Sequence, residues 1–168
     1  GSVIAETDRP ATWALLSDNA GYDVPRIETG ATYAVEPEAG NPGDAPDDPR
    51  LQDGDRPSGD WNNTIGWSRK DATVTFDLNA PYRVAAVDLH LRSTRSNQTP
   101  EHVAVQWRDG EDAPWQDGPA LDVTPDNLDG KWLTLPFDQP VTARHVRAVL
   151  TNTEGMNYLM QMRVWGTH

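Results

Sequence analysis

Apolar residues in this chain come in short runs that alternate with polar ones, and turn-forming residues interrupt each run before a helical period can establish itself. Such runs occupy Thr73 to Leu78, Val84 to Leu91, Val103 to Trp107, Lys131 to Leu135, His145 to Leu150 and Met160 to Trp165, and a further one begins at Ala31 to Val35. Alternation with period two places successive side chains on opposite faces of a strand, so each run reads as a half-buried strand. Asn79-Ala-Pro81, Asp109-Gly110, Asp129-Gly130 and Asp138-Gln-Pro140 separate them. Gly and Asx residues accept left-handed backbone there and Pro presets φ. Many short strands with this punctuation predict an all-β sandwich. No internal repeat is present.

With 168 residues the chain suffices for one well-buried core. The formal net charge of -12 makes nucleic acid and anionic membrane surfaces poor partners, because a polyanion is repelled over most of the surface. The absence of cysteine excludes a disulfide framework and thiolate metal sites. No apolar run approaches bilayer-spanning length, so no membrane partner is expected; no signal peptide is present either, and the chain is expected to be an excised piece of a longer one whose own targeting signal is missing. Gly1-Ser2 has the look of a cleaved tag. Residues 1–28 are therefore expected to be a tag remnant followed by a linker or an added edge strand.

Glu36 to Asp60 is a long acidic connection rich in Pro and Gly without hydrophobic period. Connections of that length are usually functional, mobile or pinned. Within it, Asp53-Gly54-Asp55, Ser58 and Asp60 lead to Trp61. Hard oxygen donors spaced by Gly and Pro suit Ca²⁺, although the pattern does not complete an EF-hand, and ordinary turn formation explains the same residues.

The acidic turn and Trp61, the runs Val74 to Leu78 and Val84 to Leu89, and the closing Met162-Arg-Val-Trp-Gly166 together resemble the discoidin-type C domains of coagulation factors and their bacterial relatives, the family 32 carbohydrate-binding modules. The resemblance covers about residues 29 to 166 and implies a jelly-roll β-sandwich of the galactose-binding-domain type, a structural Ca²⁺, and a ligand surface of loops at one end. It places Asp53, Asp55 and Ser58 at the metal. Gln161 stands where the family usually has a glutamate, so one neutral carbonyl oxygen replaces a charged donor.

Ligand-binding residues follow from the same resemblance joined to side-chain chemistry. Trp61 with Asn62 either stacks on a sugar ring or folds inward over the acidic turn. Arg92, Arg95 and Asn97 lie on a polar loop that either grips sugar hydroxyls or carboxylates, or offsets neighbouring acidic loops. Asn152, Glu154, Asn157 and Tyr158 form the loop before the last strand, with inward packing the other role for Tyr158. Trp67, Trp107, Trp132 and Trp165 lie in strand patterns and are read as structural, and Trp115 as packing.

No catalytic constellation is visible. His90, His102, His145 and His168 form no metal spacing and pair with no serine motif, and no phosphate loop or nucleophile elbow occurs. The expected function is thus a non-catalytic, monomeric carbohydrate-binding module, residues 29–168, of a secreted bacterial polysaccharide-active enzyme. Its partners would be a polysaccharide or oligosaccharide and a catalytic domain in cis. The competing reading is a sandwich that packs against such a domain and binds no sugar, and a small glycosidase or lyase is a third.

Overall fold

The computed structural model describes residues 2–6, 30–36, 65–68, 71–91, 99–124, 132–152 and 155–167. Its elements are strands: β1 (Ser2–Glu6), β2 (Thr32–Glu36), β3 (Ile65–Ser68), β4 (Ala72–Leu91), β5 (His102–Arg108), β6 (Gln116–Asp122), β7 (Trp132–Thr151) and β8 (Met156–Thr167). All pairings are antiparallel, as the sequence pattern predicts.

The frame is a ribbon of β4 and β7 that pair along their whole lengths and fold back on themselves. Two opposed bulges make the fold. Between Asp77↔His145 and Tyr82↔Ala143, residues 78–81 of β4 stand opposite Arg144 alone; between Val84↔Val141 and Ala86↔Pro136, residues 137–140 of β7 stand opposite Ala85 alone. Extra residues on one strand bend and twist a ladder locally. The turn signals at Asn79-Ala-Pro81 and Asp138-Gln-Pro140 fall in these two bulges, so they bend long strands where separate strands were expected. Asn79 takes φ 70°, and its N–H donates to Asp77 Oδ1 at 2.8 Å.

Folding the ribbon creates two layers. In the front layer the strands run β2, β4, β7, β5, β6, using the first half of β4 and the second half of β7. In the back layer the other halves of β7 and β4 continue to β8, whose free edge takes β1 against Arg163 to Gly166 and β3 against Met156 to Leu159. The N-terminal stretch thus contributes an edge strand, with Val3 and Ile4 buried. Between the layers, Val74, Phe76 and Leu78 of the front meet Val87, Leu89 and Val164 of the back, all at most 1 % exposed. Period-two alternation and burial coincide along Ala72 to Leu78. Gly166 is required where three strands converge: a Cβ there would collide with the Arg83 carbonyl oxygen and come 2.8 Å from Ile4 Cδ1.

Candidate functional site

Registers assign each strand terminus to an end of the sandwich. Ala72 pairs with Leu150, His102 with Thr151 and Asp122, Glu36 with Thr73, His90 with Trp132, and Ser68 with Met156. These termini therefore share one end, and the connections 37–64, 69–71, 92–101, 123–131 and 152–155 all join strands there. The opposite end carries the β5–β6 hairpin and the folded ribbon. These connections are thereby gathered at one rim, and loops on a rigid scaffold are where binding and catalytic residues are disproportionately found.

The described part of the rim is a hydrogen-bonded brace. Asn152 donates from Nδ2 to the Thr99 carbonyl at 2.8 Å, and its Oδ1 accepts from the Gly155 N–H at 2.8 Å. The Glu101 N–H donates to the Thr151 carbonyl at 2.8 Å, and the Val123 N–H to the Glu101 carbonyl at 2.9 Å. Asn157 Nδ2 donates to the Leu150 carbonyl at 3.3 Å. One amide side chain thus ties connection 92–101 to connection 152–155.

Of the residues expected at the ligand, Asn152, Asn157 and Tyr158 are buried at 2 %, 0 % and 3 % exposure. Their side chains point into the protein and support the rim from beneath; for Tyr158 this is the packing role weighed above. Trp61, Asn62, Arg92, Arg95, Asn97 and Glu154 lie outside the described residues. So do the metal candidates Asp53, Asp55 and Ser58.

Gln161 is described and buried, 1 % exposed, opposite His90 in the β4–β8 register. Leu89 and Met162 face the core, so Asp88, His90, Gln161 and Arg163 form a polar row on the other face of the back layer. The Trp165 indole N–H donates to Asp88 Oδ2 at 2.6 Å. Among the described residues no group of three His, Cys, Asp or Glu is close enough to hold a metal. Of the expected donors the described one, Gln161, offers a single amide oxygen.

Sequence reasoning missed a charged cluster at the opposite end. Arg144 grips Asp77 with both arms, Nε to Oδ1 at 3.0 Å and Nη2 to Oδ2 at 3.1 Å. That guanidinium, together with the Asn79 amide and against partial burial, holds the Asp77 carboxyl at about 2, below its ordinary 3.8. Burial pushes His145 below its usual 6.5, with Asp77 opposing. The guanidinium carbons of Arg108 and Arg147 lie 4.6 and 4.1 Å from the centre of the Trp115 ring, which makes Trp115 a cation–π packing residue. Alternate residues of β5 and β7 carry this signal, but bringing Arg108 and Arg147 together over Trp115 needs the register, in which Arg108 stands opposite His145 and Arg147 opposite Gln106.

Solved structures with the same architecture include a family 32 carbohydrate-binding module of Clostridium perfringens in complex with galactose, at 12 % identity and TM-score 0.57, covering 80 % of this chain and 93 % of that one. A second C. perfringens module of that family, in complex with GalNAc-β-1,3-galactose, gives 14 % identity and TM-score 0.60, covering 81 % and 95 %. A Ruminococcus gnavus fucosidase of glycoside hydrolase family 29 matches at 17 % identity and TM-score 0.60 over 83 % of this chain and 26 % of its own. No curated protein matches the chain in sequence. The fold is the β-sandwich of those two modules. Residues 33–164 match the F5/8 type C domain family, and the chain belongs to it.

Proposed function

We propose that this domain is a non-catalytic carbohydrate-binding module of a secreted bacterial polysaccharide-active enzyme. The observation that carries the reading is the concentration of inter-sheet connections on one braced rim of a carbohydrate-binding-module fold. In this reading Trp61 stacks on the ligand while Asn62, Arg92, Arg95, Asn97 and Glu154 bond its hydroxyl or carboxylate groups. Asn152, Asn157 and Tyr158 hold their loops beneath. Tethering raises the local substrate concentration for a catalytic domain in cis without altering its chemistry.

Affinity electrophoresis against neutral and uronic-acid polysaccharides tests it. Trp61→Ala and Arg92→Ala are each expected to abolish most retardation while the melting temperature holds. Unchanged retardation in both removes the site assignment, and failure of the wild-type chain across the panel favours a purely packing role.

A structural Ca²⁺ held by Asp53, Asp55, Ser58 and Gln161 is part of the proposal and affects stability alone. Chelator is expected to lower the melting temperature, and added Ca²⁺ to restore it. No shift in either direction removes the metal.

A further inference from the structure

The outer face of the front layer carries two arginines that the fold leaves open. On β5 Val103, Val105 and Trp107 pack inward, and on β7 Val146 and Ala148 do so. Gln106, Arg108 and Arg147, of opposite parity, therefore project outward. In the β5–β7 register Arg147 stands opposite Gln106 and Arg108 opposite His145, so the two arginines are diagonal neighbours, roughly 7–8 Å apart along the sheet. Both guanidinium groups close on the same Trp115 ring.

The carboxylates around this pair are occupied by other groups. Asp77 is held by Arg144, Asp122 by His102 and Asp117 by Gln106. Arg147 donates from Nε to the neutral Gln106 Oε1 at 2.8 Å. Among the described residues Arg108 donates no hydrogen bond, and its Nε is buried without an acceptor. Glu36 acts on Arg147 from β2, and Glu111 on Arg144 and His145 from the hairpin, each without a hydrogen bond. Burial, with the Arg108 charge, pushes Arg147 below its usual value. In a chain with 26 acidic residues against 14 basic ones, two adjacent guanidinium groups without a carboxylate between them mark a place suited to an external one.

We propose that this pair docks an extended acidic segment of a partner protein, two of whose carboxylates each take one guanidinium. Residues i and i+2 of an extended segment lie on one face about 7 Å apart, which matches the diagonal between the arginines. Arg and Trp are the side chains that most often dominate protein–protein contacts, and the guanidinium fork accepts a carboxylate through two parallel bonds. An acidic polysaccharide fits less well: its charges repeat along the chain and meet the net charge of -12 beyond this pair, whereas a short polypeptide segment brings only the two. The residues are separate from the rim, and the inference does not depend on sugar binding.

The test is two-dimensional NMR of the ¹⁵N-labelled chain at low salt, read at the Nε–H signals of Arg108 and Arg147 and the indole N–H of Trp115. The probe is the end-capped peptide Ala-Glu-Ala-Glu-Ala, with the peptide that has Gln in place of Glu and trigalacturonate titrated in parallel. The three signals are expected to move with the Glu peptide, to stay still with the Gln peptide and to respond more weakly to trigalacturonate, while the rim amides of Thr99 and Gly155 stay fixed. Arg108→Gln is expected to weaken binding of the Glu peptide about fivefold, the loss of one exposed ion pair. Arg147→Lys, which keeps the charge and loses the fork, is expected to weaken it about twofold. Arg83→Gln removes an exposed charge on the folded ribbon and is expected to change nothing. Silent arginine signals, equal movement with the Gln peptide, or equal weakening in Arg83→Gln overturn the docking site. A stronger response to trigalacturonate assigns the pair to an acidic saccharide and overturns it as well.

Discussion

Asp77 shows how one side chain serves the bend of the ribbon. Its carboxylate accepts from the Asn79 N–H at the bulge and from both arms of Arg144, the residue facing that bulge. Because its folded-state pKa of about 2 lies below the ordinary 3.8, the native state binds fewer protons between those values. The stabilisation is present in full above pH 4 or so and is lost as pH falls through about 2. Asp77→Asn is therefore expected to lower the urea midpoint modestly at pH 7, since the pair is partly solvent-exposed, and the difference from wild type should vanish near pH 2. Equal midpoints at pH 7 would show that the pair adds nothing. Asn152→Ala removes a donor from the buried Thr99 carbonyl contact and an acceptor from Gly155, and should cost about 1–3 kcal/mol in denaturant unfolding. Sequence alone marked Asn152 as a polar loop residue. Which way it faces depends on the parity of the strand that precedes it, and a shift of one residue reverses that.

Among the elements, the folded ribbon explains both what the sequence disclosed and what it concealed. Strand interiors such as Thr73 to Leu78 and His145 to Leu150 were legible because one face is buried and the other is not. The bulges were read as breaks because Asn, Asp and Pro mark any departure from regular backbone, whether the chain turns or only bends. β6 (Gln116–Asp122) escaped because an edge strand containing Gly118 and Pro119 has no continuous alternation. β3, with four residues, is too short to show a period. Substitutions at two positions probe the bend and the convergence of strands. Asn79→Gly should be neutral or slightly stabilising, whereas Asn79→Val at φ 70° should cost about 1–3 kcal/mol. Gly166→Ala should destabilise by more than the latter, because the clash is with the Arg83 backbone, which cannot rotate away. A melting temperature unchanged by Gly166→Ala would contradict that convergence.

For the molecule as a whole, the two ends divide the work. One end gathers the connections and the brace built on Asn152; the other holds the Asp77–Arg144 fork and the Trp115 stack. The fold class and the rim's position in sequence were legible from punctuation and resemblance. The buried row of Asp88, His90, Gln161 and Arg163 was not, because it alternates with core residues on a layer whose second face is also covered. The most direct measurement of the central claim is shift mapping with a neutral or uronic-acid oligosaccharide that the polysaccharide panel shows to bind. Amides of Thr99, Glu101 and Gly155 and the side-chain amide of Asn152 are expected to move in concert, while Glu111 and Ala113 in the far hairpin stay fixed, and Trp61→Ala should remove the response. Movement confined to the hairpin end, or a full response in Trp61→Ala, would contradict it.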